Sequence, residues 1–130
     1  MARHRLAALL VILVLLIFGG CASGSAIVTG VVRAPLKPEH VIIYLEPPAA
    51  FESIGLVNAS SDAGWTEQGS VDYAIQELKE QAAKLGANGV LLVSSGDRTT
   101  TTFVMSGTVL IPVPVTAKTV QGRAIFVTKK

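Results

Sequence analysis

The chain has 130 residues, half of them hydrophobic and 15% charged, with a formal charge of +2 at pH 7. That length suits one small domain, and the near-neutral balance lacks the basic stripe with which proteins neutralise nucleic-acid phosphates. The single cysteine, Cys21, excludes an internal disulfide, so the fold has to be held by burial.

The first element is a leader. Met1 to Arg5 carries Arg3 and Arg5, and an unbroken apolar run follows from Leu6 to Phe18. A helix crossing the hydrocarbon core needs about 20 apolar residues, so this run is short for a stable span. A basic start, a short apolar run and a small-residue exit at Gly19-Gly20 predict a secretory signal peptide over residues 1–20. The other reading of the run is a short membrane anchor that is not cut. Phe18-Gly19-Gly20-Cys21 resembles the bacterial lipobox. The resemblance implies cleavage between Gly20 and Cys21, with the Cys21 thiol carrying diacylglycerol and the new terminus a further acyl chain such as palmitate. Several chains on one residue give lasting attachment where a single one is marginal. Phe18 stands where leucine is usual. Ala22, rather than aspartate, follows the cysteine. In a host with two membranes the family rule then implies the outer membrane, with the domain facing the periplasm. Loss of Arg3 and Arg5 takes Lys+Arg from 11 to 9 against 9 Asp+Glu, which leaves a neutral mature chain.

Residues 21–25 read as the lipidated cysteine and a short tether, and 26–130 as the domain. Ala26–Val32 is a predicted first strand, ended near Pro35 and Pro38. His40–Leu45 is a second, apolar nearly throughout, and Pro47-Pro48 breaks it. Phe51–Ser60 is a less regular third strand, and residues 60–69 are a loop by composition. Val71, Ala74, Ile75, Leu78, Ala82 and Leu85 then recur at helical spacing. Ser70 is the expected N-cap, Asp72 complements the first turn, Glu80 and Lys84 form an i,i+4 pair, and Gly86 is the stop.

Val90–Val93 reads as a buried strand and Ser95–Arg98 as a turn. Thr99 to Val115 alternates in its second half, with Pro112 and Pro114 on one side. Proline has no N–H for a ladder, so this is an edge, or a strand leaving the sheet. Val120–Val127 closes the domain. The order β-β-β-α-β-β-β predicts an α+β domain, with one helix on a mostly antiparallel sheet.

Residues 74–92 hold an "A…L…A..LGAN.V" helix-to-strand unit, Ala74 to Leu92, preceded by Ile54-Gly55-Leu56-Val57. This resembles a superfamily of small α+β domains. It includes the outer-membrane Rcs stress-sensor lipoprotein, related uncharacterised lipoproteins and the YbjQ-like domains described as heavy-metal-binding. The resemblance implies the fold, and Gly86 and Asn88 tolerate left-handed backbone, which lets a helix turn straight back into a buried strand. This chain lacks the sensor's disulfides, and His40 is the domain's sole histidine, so no metal and no cofactor is expected.

His40, Ser94, Ser95 and Asp97 supply the residue types of a hydrolytic triad without nucleophile-elbow spacing, and they read as a turn plus a strand-edge histidine. No catalytic residue is assigned. The Asn58-Ala59-Ser60 sequon is set aside as a chance match in a bacterial lipoprotein. The sole tryptophan, Trp65, is the candidate partner contact, against a reading in which it covers the helix start. The expectation is a membrane-anchored envelope lipoprotein that acts without catalysis, binding or sensing through protein contacts. The alternative is a structural lipoprotein that self-associates by strand-edge pairing.

Overall fold

The structure, a computed structural model, describes residues 22–62, 64 and 66–128. Gly20, Cys21 and Trp65 lie outside the described residues, as does the signal-peptide segment. Among the described residues no helix is long and apolar enough to cross a membrane.

Thr66 starts the helix. Its Oγ1 accepts from the Gly69 N–H at 3.0 Å, and α1 runs Glu67–Lys84. Capping therefore sits four residues ahead of Ser70. That serine is buried in the first turn, and its hydroxyl instead accepts from the Gly64 N–H at 3.2 Å. The apolar stripe is as the spacing predicts. Ala74, Leu78, Ala82 and Ala83 are buried, with Ile75 and Leu85 packed beside them. At the far end Gly86 has φ +75°, Gly86 N–H reaches Ala83 O at 3.0 Å, and Ala87 N–H reaches Ala82 O at 3.1 Å. This is a Schellman termination, which only a residue at ease in left-handed backbone closes without strain. Asn88 does not use its tolerance of left-handed backbone: glycines alone have positive φ among the described residues. Glu80 accepts from Gln76 Nε2 at 3.3 Å, and the expected Glu80–Lys84 pair is absent from the ion pairs of the described residues.

Among the described residues five strands form one sheet in the order β1-β3-β5-β4-β2: β1 Ala22–Val28, β2 Ile42–Tyr44, β3 Phe51–Ser61, β4 Gly89–Ser106 and β5 Val109–Val127. Three pairings are antiparallel and β2 runs parallel to β4, so the sheet is mixed. Bulges at Ser53/Gly55 and Leu92/Ser94 shift register and add local twist. The helix covers one face only. There Ile54, Val57 and Ala59 of β3, Val90 of β4 and Val120 and Ala124 of β5 meet the alanines of α1. Those short side chains let backbone and sheet approach closely.

Three expectations are corrected by pairing. Residues 22–25 are strand rather than tether, because Ala22 to Ser25 pair with Ser61 to Asn58. Ser95–Arg98 is a continuous part of β4, opposite Val120 to Ala117, because β5 satisfies backbone groups that a Gly-Asp turn would have satisfied locally. The last three predicted strands are thus two long ones. The true reversal is at Gly107-Thr108, where Gly107 has φ +66° and Thr108 does not, the pattern of a II′ hairpin.

Candidate functional site

Strand side chains alternate between faces, so the register assigns the side opposite α1. Ser23 and Ser25 of β1, Asn58 and Ser60 of β3, and Thr119 and Gln121 of β5 stand there in two adjacent rows. Together with Arg98 of β4 they line a concave pocket of about 380 Å³. The groups are largely paired within the sheet: Ser23 Oγ lies 3.1 Å from Ser60 Oγ, Ser25 donates to Asn58 Oδ1 at 3.3 Å, and Thr119 Oγ1 donates to Gly96 O at 3.1 Å. Toward the other end of the same face, Ile27 and Leu56 replace polar groups and remain exposed. This surface offers hydroxyls, amides and one guanidinium above an apolar margin. Its signal in the sequence is the period-two spacing of small polar residues in three separate segments, and their grouping depended on register.

The triad types are not gathered. His40 ends a short 3-10 turn, Pro38–His40, two residues before Ile42, which pairs with Gly89. It borders an apolar hollow with Tyr44, Asn88 and Phe126. Ser94 and Asp97 lie five and eight residues farther along β4, about 16 and 26 Å at the usual strand rise. Among the described residues no three His, Cys, Asp or Glu side chains cluster where they could share a metal ion.

Among the described residues the β4–β5 pair continues alone beyond the helix. β3 stops at Ser61, opposite Lys118, whereas β4 and β5 stay paired out to Ser106 and Val109. At the base of this two-stranded ribbon the Lys118 ammonium donates to Asp97 Oδ1 at 2.8 Å and lies 3.5 Å from Glu67 Oε1. The Asp97 hydrogen bond raises the Lys118 pKa above its ordinary value against some desolvation, and the charges of Asp97 and Glu67 add to the rise. At its tip Phe103, Met105 and Leu110 are 64%, 68% and 60% exposed, so the largest apolar side chains here face solvent.

No family model matches the chain, and no curated protein matches its sequence. Among solved structures, the crystal structure of the Francisella virulence factor FvfA in its orthorhombic form is similar. It is 16% identical over 78% of this chain and 96% of that one, with a TM-score of 0.51. At that identity the likeness is one of fold.

Proposed function

We propose that this chain is a lipid-anchored protein of the bacterial cell envelope whose domain is a non-catalytic binding or sensing module. The observation that carries the reading is the uncovered sheet face, where six small polar side chains of β1, β3 and β5 form one surface that α1 leaves open. A protein partner is the occupant that this mixture of hydroxyls, amides and an apolar margin suits. Cleavage after Gly20 and lipidation of Cys21 supply the anchor, and with Ala22 next in sequence a two-membrane host would hold the domain at the outer membrane, facing the periplasm. The Schellman turn at Gly86, leading within three residues into β4, supports kinship with the LGAN-type lipoprotein domains.

Two measurements test this. Intact mass of the wild-type chain should show a lipid on Cys21 and loss of residues 1–20, and Cys21→Ser should abolish both. An unmodified thiol would refute the lipid anchor. A photoreactive residue at Asn58 or Gln121 should crosslink to a distinct protein in intact cells, while one at Gln76, on the exposed side of α1, should not. Equal yields at all three sites would refute the contact surface.

The self-association reading draws on a different observation. β2 pairs with β4 only from Gly89 to Leu91, which leaves the outer edge of β4 open beyond that point. Edge pairing would appear as a dimer on size-exclusion chromatography without any partner present.

A further inference from the structure

Four observations about the β4–β5 ribbon converge. From Thr99 to Ala117 the chain has no charged residue and no histidine, whereas Asp97, Arg98 and Lys118 sit together at the ribbon's base. Water-soluble hairpins normally place charge on at least one face.

The second observation is the tip. Cross-strand partners share a face, so Met105 with Leu110 and Phe103 with Pro112 present one apolar face, and Val104 with Ile111 presents the other. Both faces are exposed: Met105 is 68% exposed, and Val104 on the opposite side is 50% exposed. A protein groove covers one face of a ribbon. A fluid apolar medium surrounds both.

The third is the pair of prolines. Among the described residues β5 has no outer neighbour past Lys118, so every second N–H in this stretch points away from any described strand. Pro112 and Pro114, two apart and therefore on the same edge, remove two of those donors. That blocks strand addition along the β5 edge, and it lowers the cost of taking the edge into a medium that cannot hydrogen-bond.

The fourth is position. Ala22, Ser61, Lys118 and Asp97 form one row across the sheet. Ala22 is bonded to Cys21, so the chain leaves toward its leader at the level from which the ribbon projects. The ribbon continues nine residues past Asp97 to Ser106, roughly 30 Å at strand rise.

We propose that the apolar tip of this ribbon, Phe103 to Ile111, inserts into the lipid surface that anchors the chain. The inference rests on the reading above that the membrane lies at the Cys21 end, and it holds whether the leader is cut and lipidated or is kept as an anchor. Insertion is shallow. Phe103 to Ser106 spans roughly 10 Å, the depth reached by interfacial segments, and Thr99–Thr102 passes through the headgroups with hydroxyls available to them. The free backbone edge of β4 then stays largely in hydrated surroundings, as an open edge requires. The charged base, Asp97, Arg98, Lys118 and Glu67, marks the water boundary. Anchor and tip are two attachments on one rigid sheet, so they would fix the domain's orientation, which a lipid alone does not.

The test uses the full chain as the host processes it, purified and reconstituted into phosphatidylethanolamine–phosphatidylglycerol vesicles. Met105→Cys carries an environment-sensitive fluorophore, and Gln76→Cys serves as the control. Labelling of the wild type comes first. An acylated Cys21 takes no label, and a labelled wild type shows that the lipidation reading has failed, independently of the tip. In that event the Cys21→Ser/Met105→Cys chain carries the single label. The expected result at position 105 is blue-shifted emission, quenched several-fold more by nitroxide lipid than at position 76 and shielded from aqueous iodide. Iodide quenching equal to that at position 76, with no effect of nitroxide lipid, overturns the proposal. So does efficient bismaleimide crosslinking between two copies at position 105 without lipid quenching, which would make a second copy the occupant. Met105 is exposed, so the substitution leaves the core intact, and an unchanged far-ultraviolet spectrum verifies this.

Discussion

The side-chain amide of Asn88 completes the sheet where β4 has not yet begun. Its Nδ2 donates to Val127 O at 3.0 Å, and its Oδ1 accepts from Val127 N–H at 2.7 Å. One carboxamide thereby replaces the backbone of a strand residue and ties the helix exit to the end of β5. Asn88→Ala removes both bonds and leaves two partly buried backbone groups unpaired. A loss of about 2 kcal/mol is expected, read from the urea midpoint. Asn88→Asp should be no better, because it keeps the acceptor and sets an anion against the Val127 carbonyl. Wild-type stability in Asn88→Ala would refute the role.

Gly86 is constrained twice. Its φ is +75°, and a Cβ there would lie 2.6 Å from backbone atoms of Arg33, whose N–H bonds to Leu85 O at 3.0 Å. Gly86→Val should therefore lower stability by on the order of 3 kcal/mol with an unchanged denaturant slope. Lys84→Ala, exposed in the last turn of α1, should cost only a few tenths of a kcal/mol through the helix dipole. Similar losses from both would mean that the termination is not where the strain resides.

Lys118 has a raised pKa in the folded chain, chiefly from its hydrogen bond to Asp97. A group whose folded pKa exceeds the unfolded value stabilises fully below the unfolded pKa and loses that contribution as pH rises through the folded one. The wild type should thus lose stability at pH above about 10.5, and Asp97→Asn should flatten that part of the profile. An NMR titration of the Lys118 ε-methylene gives the direct measurement. A midpoint that does not fall in Asp97→Asn would contradict the assignment.

Zinc or copper added to the chain should give no stoichiometric high-affinity isotherm. Among the described residues His40 is the one imidazole, and no three His, Cys, Asp or Glu side chains gather where they could share a metal ion. A tight isotherm abolished by His40→Ala would overturn the expectation.

The local elements were legible in the sequence because their causes are local. The 3.6-residue spacing from Val71 to Leu85 specifies a helix and its buried stripe without reference to any neighbour, and Gly86 specifies its end. The mixture of apolar runs and one such helix specifies an α+β domain. Strand limits depended on distant residues. Ser95-Gly96-Asp97-Arg98 is a turn by its own chemistry and a strand because Val120 to Ala117 lie opposite it, and Ala22–Ser25 is extended because Ser61 to Asn58 accept it. The candidate surface has the same origin. Ser23, Asn58, Thr119 and Gln121 are unremarkable in sequence, being separated by up to a hundred positions, and they form one face only once register brings them together. Pro112 and Pro114 announced an edge. That the edge belongs to a ribbon projecting from the row where β1 begins was decided by β3 ending at Ser61, since backbone hydrogen bonds between strands are a property of pairs of segments and not of either segment alone.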